Sequence, residues 1–167
     1  MFAKFQVDLQ EWSEKHKNLG QSLKKFSNLS NQSSFIHSAS IHDSLGHAVK
    51  PTKTVAKINC EIESTLSDMK LLSEELTAIV WKLVTTESDI VATSNPDVPV
   101  EVGTLQCLVA QIKQQSLLNS CIIDELTERF QNGLVNDQDC LQTMLASLTY
   151  SPFLDTSDLE DIMSLPS

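Results

Sequence analysis

Residues 58–90 read INCEIESTLSDMKLLSEELTAIVWKLVTTESDI, and the spacing of the apolar residues in this stretch decides the fold class. Alternating steps of four and three pick out Ile58, Ile62, Thr65, Met69, Leu72, Leu76, Ile79, Leu83, Thr86 and Ile90. Eight of these ten positions are large and apolar, and no Gly or Pro interrupts them. A stripe of that period runs along one side of a helix as a narrow seam, which is stable only against another helix. The stretch predicts one long helix, from about Val55 to Ala92, inside a multi-helix assembly.

The segment before it repeats the pattern. Phe5, Leu9, Trp12, His16, Leu19, Leu23 and Phe26 keep the same spacing and predict a helix from about Phe5 to Ser30. Lys15, Lys17, Lys24 and Lys25 fall off that seam, on a solvated face. Between the two helices, NQSSFIHSASIHDSLGHAVKPT (31–52) loses all period and ends in a Lys50-Pro51 step that disfavours helix at Lys50. With little apolar surface to offset its ordering entropy, 31–54 reads as a mobile linker. His37, His42 and His47 recur every five residues, a spacing that suits neither a helix face nor a strand face, so no metal site is read there.

On the other side, Asn95-Pro96 and Pro99 form a short breaker. A third helix is expected from about Val100 to Asn132, ending at Gly133 as a C-terminal cap. Its stripe carries Val102, Leu105, Val109, Ile112, Ile123, Leu126 and Phe130. Ser116 and Asn119 interrupt it, either as a polar pair that sets register or as solvent-exposed positions. Leu117, Leu118, Cys121 and Ile122 widen the apolar surface there. Asn136 or Asp137 can cap a shorter fourth helix bearing Leu141, Met144, Leu145 and Leu148. Ser151-Pro152 stops it, and a last short helix follows from a capping box at Ser157–Glu160. No alternating strand pattern exists, and a short breaker makes antiparallel neighbours. The fold class is all-α: an elongated antiparallel helical bundle or coiled coil, with three long helices and one or two short C-terminal ones. Its parts are an N-terminal amphipathic helix (1–30), the linker (31–54) and a bundle core with a C-terminal helical hairpin (55–167).

Composition excludes several classes of function. The net charge of −10 and a single arginine, Arg129, leave no cationic surface for phosphate, so direct nucleic-acid binding is not expected. No apolar run approaches ~18 residues and no leader precedes the first helix, so neither membrane spanning nor secretion is expected. Cys60, Cys107, Cys121 and Cys140 show no metal spacing; the last three lie beside Leu and Ile, where a free thiol acts as a small hydrophobe. An intracellular, reduced chain is the reading. Gly20, Gly46, Gly103 and Gly133 stand alone, so no phosphate-cradling loop exists. No catalytic, metal-binding or cofactor-binding residues are assigned, and the chain is read as non-enzymatic.

Protein recognition is the remaining class. Trp81 lies opposite the seam of the second helix, with Val84 close by, and is either a binding anchor or a second packing face. Phe153, Leu154, Leu159, Ile162 and Met163 concentrate apolar side chains in a short acidic segment that must dock either on a partner's groove or on its own bundle. Trp12 joins these as a candidate protein-binding residue.

The C-terminal half also carries a resemblance. Leu108-Val-Ala-Gln-Ile-Lys113, then Leu117-Leu118, Ile123 and Glu125-Leu126, precede a short capped helix and Ser151-Pro152-Phe153-Leu154-Asp155. This order resembles the cyclin-dependent kinase 2-interacting protein family, and the Trp12 helix and the acidic second helix fit in sequence. Two features depart from the family. Its aromatic-rich segment before the third helix is reduced here to Thr93–Pro99, and its basic run after Leu117-Leu118 is missing. The first helix, with Trp12, Leu19, Leu23 and Phe26-Ser-Asn-Leu29, is also similar to the companion ribosome-maturation subunit of the same AAA ATPase assembly. The resemblance implies a small, largely nuclear adaptor. The partners it implies are cyclin-dependent kinase and cyclin, replication and checkpoint factors, and an AAA-type ATPase serving ribosome maturation and genome maintenance. The alternative is a structural coiled-coil subunit of a kinetochore, spindle or vesicle-tethering complex.

Overall fold

The computed structural model describes residues 2–42, 52–93, 99–133 and 138–165. They form five helices: α1 (Phe2–His42), α2 (Thr52–Thr93), α3 (Pro99–Gln131), α4 (Gln138–Tyr150) and α5 (Thr156–Ser164). Among the described residues there is no strand.

Cross-helix contacts fix the directions. Lys15 pairs with Glu75 at 2.8 Å and Lys82 with Glu11 at 3.8 Å, so α1 and α2 run antiparallel. On α2 and α3, Thr77 lies near Ser120 and Lys70 near Asp124, while Glu87 shares a wall with Gln106, again antiparallel. Trp12 Nε1 donates to Ser116 Oγ and His16 bonds Asn119, which sets α1 and α3 parallel. The chain then returns: Ser151 meets His16, Asp158 meets Gln111, and Gln6 donates to the carbonyls of Ile162 and Leu165. Together α4 and α5 make the fourth helix of an up-down-up-down bundle, broken in the middle. α1 packs on α2 and α4, and α3 packs on α2 and α5, which closes the ring.

The seam explains the burial. Ile58, Ile62, Thr65, Met69, Leu76, Ile79, Leu83 and Thr86 are buried, and Leu72 and Ile90 partly so. Thr65 satisfies its hydroxyl within its own helix, donating to the Glu61 carbonyl. Leu66, Ser73 and Val80, one heptad apart, form a second buried row on α2. On α3, Leu105, Leu108, Val109 and Ile112 are buried likewise. Leu76 and Val109 both lie inside, as the antiparallel arrangement requires.

Several boundaries differ from the sequence reading. α1 does not stop at Ser30 but continues to His42, so the N-terminal half of the expected linker is helical, and its last three residues, 52–54, open α2. No Gly or Pro lies between Gly20 and Gly46 to end the helix, and Ile36 packs against the core. The rest of that segment, residues 43–51, lies outside the described residues, as do the side chains of His37 and His42, His47, and the caps Asn136 and Asp137. The cap of α5 is Asp155 rather than Ser157: its carboxylate accepts from Ser157 N at 2.9 Å and from Ser157 Oγ at 2.6 Å. Those two bonds hold the Asp155 carboxyl below its usual pKa range. Gly133 does end α3, at φ 69°, with its N–H bonded to the Phe130 carbonyl. Cys107 and Cys121 are exposed and Cys140 half-buried, none of them in a disulfide, so these thiols are not core hydrophobes.

Candidate protein-docking groove

Where α2 and α3 lie side by side, their outer edges leave a groove of about 770 Å³. Val80 and Val109 form its floor, buried because they face the core. Trp81, one residue on from Val80, is turned about 100° around the helix and stands on the rim, 69% exposed. Leu117 stands on the α3 side, 68% exposed, next to buried Ser116. Val84, Ala110, Lys113 and Glu87 complete the walls. Lys113 and Glu87 make no ion pair among the described residues. A second, smaller hollow of about 270 Å³ adjoins it at Thr77 and Ser120 and is lined by Lys70, Glu74 and Asp124.

The other candidates from sequence are placed elsewhere. Trp12 is wholly buried, so it is a core residue and not a surface anchor. Its indole stacks on the His16 ring, centroids 4.9 Å apart, and its N–H donates to Ser116 Oγ at 3.1 Å. Ile162 is buried as well, and Leu154, Leu159 and Met163 pack partly against the core. The C-terminal segment therefore docks on its own bundle, and only Phe153, 43% exposed, faces largely outward. Of the eight residues read from sequence, Trp81 and Val84 lie in the groove. Leu117 was missed: the sequence groups it with Leu118, Cys121 and Ile122 as one widened apolar surface, and only the inter-helix geometry turns it out onto the rim.

Beneath the α4–α5 break lies a polar chain, buried at Gln115 and Asn119 and half-buried at His16 and Ser151. Phe153 N–H can only donate, and it does so, at 3.5 Å, to Gln115 Oε1. That fixes Gln115 Nε2 toward Asn119 Oδ1 at 3.0 Å, and Asn119 Nδ2 toward His16 Nδ1 at 3.1 Å. His16 then carries its proton on Nε2 and donates to Ser151 Oγ at 2.7 Å, while Ser151 Oγ reaches the Leu148 carbonyl at 3.4 Å. Each group donates one way and accepts the other, which needs a neutral imidazole. Burial pushes the His16 pKa down, in the same sense. The Ser116–Asn119 interruption is thus a buried polar layer that registers α3 on α1 and on the break in the fourth helix. Gln111 adds a clamp, donating to Asp158 and accepting from Asp155 N, both at 2.9 Å.

Comparison of the chain with family models, with curated proteins and with solved structures found no match. Among the described residues, no helix is long and apolar enough to cross a membrane, and no three His, Cys, Asp or Glu side chains come together to hold a metal.

Proposed function

We propose that the chain is a non-enzymatic helical adaptor that holds an amphipathic helix of a partner protein in the α2/α3 groove. The observation that carries this is the pair of large apolar side chains, Trp81 and Leu117, on the two rims of one groove. Exposed aromatic anchors beside an apolar floor suit helix-in-groove recognition. Charge narrows the occupant. Unpaired Lys113 calls for a carboxylate at the centre, and Glu87 at one end, with Glu74 and Asp124 outnumbering Lys70 at the other, favours basic ends on the incoming helix. From Lys70 to Glu87 the groove and the adjoining hollow together run about 25 Å, the length of a helix of about 17 residues.

The resemblance to the cyclin-dependent kinase 2-interacting protein family gives this reading a setting. The adaptor would be nuclear and would serve DNA replication and genome maintenance, and an AAA ATPase complex for ribosome maturation. A structural coiled-coil subunit is the second reading, and one observation favours it. The Trp12–Ser116 register sets the end of α3 level with Ser27, so α1 and its partner α2 continue about 20 Å beyond it. Phe35 on that projection is 75% exposed. Affinity purification from native extract with mass spectrometry separates the two, with a Trp81→Asp/Leu117→Asp variant run beside the natural chain. The adaptor reading expects an ATPase-and-replication set that the variant loses. A cytoskeletal or tethering set that the variant retains supports the second reading instead.

A further inference from the structure

The turn that breaks the fourth helix is also a chemical motif. Ser151-Pro152 is the single Ser/Thr-Pro step in the sequence. It lies between Tyr150, 81% exposed, and Phe153. Ser151 has φ 45°, a left-handed conformation that a residue with a Cβ keeps only when its surroundings pin it. Two bonds do so: His16 Nε2 to Ser151 Oγ, and Leu154 N–H to the Ser151 carbonyl at 2.8 Å.

We propose that Ser151 is a phosphorylation site for a proline-directed serine/threonine kinase, and that its modification releases the α4–α5 arm from the α1/α3 face. The kinase transfers the γ-phosphoryl group of ATP to Ser151 Oγ. An O–P bond forms, the bond from the γ-phosphorus to the β,γ-bridging oxygen breaks, ADP leaves, and the hydroxyl proton passes to the base of the kinase. This inference stands apart from the groove, which lies on the α2/α3 side of the bundle.

Access comes from the weakness of the arm. α5 has nine residues, well below the length at which a helix holds alone. Its polar attachments are the side chains of Gln6, Gln111, Gln115 and His16. Pro152 already interrupts the helical ladder at the junction, so drawing 149–155 into a kinase cleft breaks few backbone bonds. Short, sparsely bonded segments of this kind open locally before the bundle does.

Release follows from what a phosphate meets. A phosphoryl group takes the place of the hydroxyl hydrogen, which points at the Leu148 carbonyl 3.4 Å away, so Oγ loses that bond and the phosphate oxygens would face a carbonyl oxygen. The half-buried ring could answer the new charge only by taking a proton on Nδ1, where Asn119 Nδ2–H already donates. The phosphoserine must therefore swing outward, which leaves His16 Nε2–H without its acceptor and adds negative charge to a segment that already carries Asp155 and Asp158. With the turn lost, the stripe of Leu159, Ile162 and Met163 comes free together with the α1/α3 face that it covers.

The test uses the full chain, ATP and a recombinant proline-directed kinase, with a free peptide of residues 145–158 treated in parallel. Mass spectrometry reads phosphate on Ser151, and hydrogen exchange reads 156–164 against 70–87. The expected result is phosphate on Ser151 of peptide and chain, none on a Pro152→Ala chain, and α5 amides that exchange at least tenfold faster while α2 is unchanged. A peptide or chain that takes no phosphate at Ser151 overturns the proposal. So does a phosphorylated chain whose α5 exchanges at the old rate.

Discussion

His16 shows how one side chain can make stability depend on pH. Burial lowers its folded pKa below the ordinary value, and the groups that face it (the Trp12 ring, the Asn119 amide and the Ser151 hydroxyl) carry no charge to offset that. The unfolded chain then binds the proton more readily. Stability from this group is fully present above the unfolded pKa of about 6.5 and is lost as pH falls from there toward the folded pKa, by up to about 1.4 kcal/mol per pH unit. Urea unfolding at pH 7.5 and 5.5 should show the loss, and His16→Gln should flatten it; equal slopes would contradict the relay. Trp12→Phe keeps most of the packing but takes the donor from Ser116, and should cost about 1–3 kcal/mol in the same assay. The polar pair on α3 was legible in the sequence as an interruption. Its role was not, because the choice between buried and exposed depends on Trp12 and His16 arriving at the same level, and nothing local to either helix encodes that register.

At the scale of elements, seam period carried most of the information. α2 and α3 were legible because 4-3 spacing and the Pro and Gly punctuation agree at their ends. The end of α1 was not. Ser-rich sequence after Ser30 has low helix propensity, yet no breaker stops the helix and Ile36 still reaches the core. Propensity lost to tertiary packing there. The C-terminal segment was ambiguous for a different reason: an amphipathic stripe looks the same whether it covers its own bundle or a partner. Burial of Ile162 resolves it, and the two cases differ measurably. Ile162→Ala should cost about 2–5 kcal/mol, as large-to-small core changes do, and Phe153→Ala, on an outward-facing side chain, less than about 1 kcal/mol. A melting curve of each variant checks this, and equal small losses would mean that α5 is not seated as described.

For the whole molecule, all four junctions of the bundle are packed, and the one between α2 and α3 carries an apolar rim. Charge sets what can approach it. A net charge of −10 attracts basic surfaces at long range, while Lys113 inside the groove selects a carboxylate at contact. Because Trp81 and Leu117 stand outside the core, the double substitution to Asp should leave urea stability within about 0.5 kcal/mol of the natural chain while abolishing capture of a partner helix. A comparable loss of stability would place these residues inside the fold. The two tryptophans stand in opposite places, Trp12 in the core and Trp81 on the rim, and acrylamide quenching of the isolated chain measures that directly. With Trp12→Phe, the remaining Trp81 should be quenched nearly as readily as a free indole. With Trp81→Phe, the remaining Trp12 should be several-fold more protected, with emission shifted to the blue. Equal protection of both would contradict the account, because the groove would then already be filled.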